Sequence, residues 1–72
     1  MATKQLSERS RSVLILLTEG HSNKEIAAAL RITEGAVKWH VSRLLLTYDC
    51  TSRTGLVRAA IARGDLEVAR PH

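Results

Sequence analysis

Between Gly35 and Leu46, Lys38, Trp39, Ser42 and Arg43 recur at spacings of one, three and four residues. Together they offer cationic donors, a hydroxyl and a broad apolar ring. Contact with base edges and thymine methyl groups in a major groove needs that mixture. Catalysis finds no comparable set: no nucleophile stands beside a base, no carboxylates pair, and no glycine loop could cradle a phosphate. His21, His40 and His72 are scattered, without a carboxylate or Cys at ligand spacing. Neither metal nor cofactor is therefore expected, and the protein is not expected to be an enzyme.

These residues act together only if a helix carries them. Thr33 is a suitable N-cap for a helix over 34–48, with Glu34 favouring its positive end. At 100° per residue, Val37, Val41, Leu44 and Tyr48 fall in a sector of about 60°, with Leu45 at its edge. That sector faces the core. Opposite lie Gly35, Lys38, Trp39, Ser42, Arg43 and Leu46, where a helix that only covers a core would carry mostly charges. Gly35 adds minimal bulk where the helix end would approach a duplex.

Three more helices must hold this one. Ser7 and Glu8 start a helix over 7–19, with Val13, Leu14, Leu16 and Leu17 as its apolar stripe and Gly20 as its stop. Ser22 and Glu25 form a capping box for a helix over 23–30, in which Ala27 is small enough for close helix crossing. A fourth, over 53–63, carries Leu56, Val57, Ala60 and Ile61 across about 140°, more than its own core needs. The fold class is thus all-α, a compact four-helix domain. A two-turn helix, a turn of about three residues and a longer helix make a helix-turn-helix. Ser22, Asn23 and Lys24 sit at the start of the second helix, where free N–H groups and the helix dipole favour a phosphate.

Seventy-two residues allow one domain, spanning 1–72, with its core in 6–64 and a frayed tail over 65–72. A net charge of +4, spread along the chain, favours an anionic partner. No Lys/Arg run suits a membrane surface, and the longest apolar run, Val13 to Leu17, is too short to span one. The lone Cys50 and the absence of a signal-like N-terminus suit a cytoplasmic protein.

The run SNKEIAAALRITEGAVKWH, Ser22 to His40, resembles the LuxR-type (GerE-type) helix-turn-helix of bacterial transcription regulators. The resemblance extends from Leu6 to about Gly64, through Leu6-Ser7, Arg9, Val13-Leu14, Leu17, Gly20, Leu30, Ile32-Thr33, Val37-Lys38, His40 and Arg53. It implies double-stranded DNA as partner, bound by a homodimer, on an inverted-repeat site. Base contacts fall on Lys38, Trp39 and Ser42, the positions that helix geometry turns outward. Phosphate contacts fall on Ser22, Asn23, Lys24, Thr33, His40 and Arg43. The fourth helix supplies the dimer contact, through Val57, Ala60 and Ile61.

The chain departs from the family in three places. Ser10 stands where the first helix usually has Glu, so one structural contact is expected to be missing. Arg31 takes a turn position that is often Gly. Leu46-Thr47-Tyr48-Asp49-Cys50 replaces a run that often begins with a basic residue, which should weaken phosphate contacts. Two other readings stay open. One is a promoter reader resembling sigma-factor region 4, which would also bind RNA polymerase. The other is an interaction module that no longer reads DNA and heterodimerises with a longer regulator.

Overall fold

A computed structural model describes residues 7–65. Four helices follow in order: α1 (Glu8–Thr18), α2 (Asn23–Leu30), α3 (Glu34–Thr47) and α4 (Arg53–Ala62). Every expected helix is present, with bounds within one residue of those read from the sequence. Of the tail expected over 65–72, all but Asp65 lies outside the described residues.

Each helix begins in the same way. The hydroxyls of Ser7, Ser22, Thr33 and Ser52 accept the N–H three residues on, at 3.0 to 3.1 Å. In α2 the Glu25 carboxylate returns to the Ser22 N–H at 2.9 Å and completes the capping box. A cap of this type contributes about 1 kcal/mol.

The helix ends are alike as well. After α1, the His21 N–H reaches the Leu16 carbonyl and the Gly20 N–H reaches Leu17, with Gly20 at φ 88. After α3, Cys50 and Asp49 make the equivalent bonds to Leu45 and Leu46. Here Asp49 holds the left-handed conformation, at φ 56. Arg31 does so after α2, at φ 59 and ψ 44. A side chain in that region is disfavoured relative to glycine. At the turn position where the family often has Gly, Arg31 thus takes the left-handed state that glycine adopts most easily.

The core takes Val13, Leu14 and Leu17 from α1, Ile26 and Ala27 from α2, Val37, Val41, Leu44 and Tyr48 from α3, and Leu56 and Ala60 from α4. Ala60 corrects the sequence reading: it has no exposed surface, so its methyl group packs inward and offers nothing to a second copy. Val57 and Ile61, on the same helix, are half-buried and packed at the core's edge.

Long-range hydrogen bonds hold the helices in register. Arg9 donates to the Leu30 carbonyl at 3.1 Å, tying α1 to the end of α2. The Tyr48 hydroxyl donates to Asp65 at 2.5 Å, and the Arg63 guanidinium lies over the Tyr48 ring, 5.0 Å from its centroid. Those two contacts join the ends of α3 and α4. Burial, and then the bond to Asp65, push the Tyr48 phenol up to about 12.

Candidate nucleic-acid interface

The core pulls Val37, Val41, Leu44 and Tyr48 inward and so fixes which side of α3 faces out. Gly35, Lys38, Trp39, Ser42, Arg43 and Leu46 are all exposed. Trp39 retains 57% of its surface and Leu46 80%, high values for large apolar side chains. Among the described residues, no ion pair engages Lys38 or Arg43. Both cations remain available to an outside anion.

The indole is held in place. Arg43 lies over the Trp39 ring, 5.2 Å from its centroid, and His40 meets it edge-on with centroids 5.0 Å apart and planes at 82°. The half-buried His40 is anchored in turn, with Nδ1 3.1 Å from the Ser10 hydroxyl of α1. Ser10 therefore does not leave the gap expected from the missing Glu, because an α1–α3 hydrogen bond stands there. That bond uses one nitrogen of His40.

The Thr33 hydroxyl accepts from Ala36 at 3.0 Å, and Ser22 is committed to its capping box. Lys24 is exposed at the start of α2, where the first N–H groups of any helix lack intrahelical partners. Asn23 is half-buried. Its Oδ1 accepts from Arg53 at 2.6 Å, while the same guanidinium donates to the His21 carbonyl at 2.8 Å. The first residue of α4 thus clamps the start of α2. Nothing local in the sequence signals this clamp, since Arg53 and Asn23 lie thirty residues apart.

His21 lies 3.4 Å from carboxylate oxygens of both Glu19 and Glu25. The Ser22 N–H, and then His21, hold the Glu25 carboxyl below the usual carboxylate range. A shallow depression lined by Leu17, Gly20, His21, Arg53, Thr54 and Val57 adjoins this corner. Among the described residues, no three His, Cys, Asp or Glu side chains converge as a metal site would require. No described helix is long and apolar enough to cross a membrane.

A short helix, a three-residue turn and a longer helix with an exposed, cation-bearing face define a helix-turn-helix protein. The chain belongs to the luxR family of bacterial regulatory proteins, whose pattern it matches over residues 4–60. It is 52% identical over 50 residues to the transcriptional regulatory protein YhcZ of Bacillus subtilis, covering 69% of this chain and 23% of that one. It is 43% identical over 54 residues to the response regulator protein VraR of Staphylococcus aureus, covering 75% of this chain and 26% of that one. It therefore spans about a quarter of the length of these two relatives.

Two solved structures share the fold, each with a TM-score of 0.85. The transcription factor GerE is 25% identical, over 93% of this chain and 100% of its own. The response regulator ChrA, from a heme-sensing two-component system, is 30% identical, over 92% of this chain and 33% of its own. The chain is the helix-turn-helix DNA-binding domain of a LuxR-family transcription regulator, not an enzyme.

Proposed function

We infer that α3 inserts into the major groove of duplex DNA, with Lys38, Trp39 and Ser42 against base edges. Arg43 and His40 reach flanking phosphates. The start of α2, through Ser22, Asn23 and Lys24, holds a phosphate on the groove's rim, and Thr33 sits beside it at the start of α3. The observation that carries this reading is the division of α3. One side is the core, and the other exposes Lys38 and Arg43 around a face that the domain itself does not use.

One module with a net charge of +4 makes few phosphate contacts, so a single copy should bind weakly. Two copies on an inverted repeat supply the rest, meeting through the half-buried Val57 and Ile61 of α4. Selection from a random duplex library tests both parts. Enrichment of paired, inverted half-sites is expected. No enriched sequence, together with tight binding to another regulator, would favour the interaction-module reading. Capture of core RNA polymerase would favour the promoter-reading one.

A further inference from the structure

The outermost line of α3 is apolar along most of the helix. At 100° per residue, Gly35, Trp39 and Leu46 lie within about 40° of one another, with Ser42 beside them. Lys38 and Arg43 flank this line about 140° apart, one on each side, and Glu34 stands about 120° from its centre. The line thus has cationic donors at its margins and no carboxylate within it, the Ser42 hydroxyl being its one polar side chain. The most prominent group on it, the Trp39 indole, is braced between the Arg43 guanidinium and the His40 ring rather than free to turn away.

In a major groove, hydrogen-bonding atoms occupy most of each base edge, and the one apolar group offered is the C5 methyl of thymine. Cytosine offers an N4 donor instead, for which this line carries no carboxylate. Resting on the groove reading above, we propose that Trp39 reads a pyrimidine C5 methyl group, so that each half-site contains a thymine whose methyl packs on the indole. The flanking Lys38 supplies donors to a neighbouring guanine edge, and Arg43 reaches the backbone. A 5-methylcytosine at the same position presents the same methyl group.

The test changes the DNA and leaves the protein intact. Each thymine of the selected half-site is replaced in turn by deoxyuridine, which lacks only the methyl, and affinity is measured by titration. Removing the methyl at one position per half-site should weaken binding roughly fourfold, the value of burying one such group. Trp39→Ala, an exposed position, should bind thymine and uracil equally there. With cytosine placed at that position, 5-methylation should recover part of the lost affinity. Binding that ignores every methyl overturns this inference and leaves the groove reading standing. A methyl effect that persists in Trp39→Ala overturns the assignment to Trp39. No binding to any duplex overturns both readings.

Discussion

Gly35 sits near the start of α3, on the face turned away from the core, and it is not one of the glycines with positive φ. A Cβ added there would meet only the Thr33 hydroxyl oxygen, at 3.8 Å, an ordinary contact. The fold therefore makes no use of a glycine at this position, although glycine in a helix costs roughly 0.5–1 kcal/mol relative to alanine. So close to the helix start, Gly35→Ala should stabilise the isolated domain by about 0.5 kcal/mol, the low end of that range. The thermal midpoint should rise by roughly 2–4 °C for a domain of this size. On DNA the sign reverses. A methyl group forced into a close backbone approach costs roughly 1–3 kcal/mol, so affinity for the selected site should fall about 5- to 150-fold. Thermal melting followed by circular dichroism and a duplex titration read the two effects separately. Higher stability with unchanged affinity would refute the close approach of this helix end to the duplex. Lower stability would refute the open space around Gly35.

Lys38→Ala should cost roughly 1–3 kcal/mol of specific binding and relax selectivity at one base pair; a gel-shift titration showing unchanged affinity would contradict that role. Leu46→Arg restores a cation where the chain lacks one, and should steepen the dependence of log affinity on log salt by about 0.9. An unaltered slope would place this turn of α3 away from phosphates. Ile61→Asp puts a charge on the edge of α4, and sedimentation should show fewer dimers and less cooperative DNA binding; an unaltered dimer would move the seam elsewhere. The Tyr48 phenol is raised in the folded state, so the stability it confers is complete below pH 10 and is lost as pH climbs towards 12. Urea melts at pH 9 and pH 11 should show a larger loss for the native domain than for Tyr48→Phe. Equal losses would exclude that titration.

The helices were legible because their starts are local. Ser7, Ser22, Thr33 and Ser52 each bond an N–H three residues on, a relation visible in four letters of sequence. The outward face of α3 was legible too, since Val37, Val41, Leu44 and Tyr48 leave one side of the wheel for the core. On α4 the same reasoning failed for Ala60. Leu56, Val57, Ala60 and Ile61 span an apolar arc wider than one interface, and only packing against the other helices divides it between Ala60 inside and Ile61 at the edge. Arg53 on Asn23, Ser10 on His40 and Tyr48 on Asp65 were out of reach, because each pair meets only once the chain has folded. Asp49, in the run that lacks the family's basic residue, is itself the left-handed residue that ends α3, which its letter alone does not announce.

Trp39 is the only tryptophan in the chain, so its fluorescence reports on the contested face of α3 and nothing else. Acrylamide quenching of the free domain should be strong, in keeping with an exposed indole, and a saturating duplex carrying the selected site should suppress it. Quenching that stays equally strong on the bound duplex would show that this face does not meet DNA.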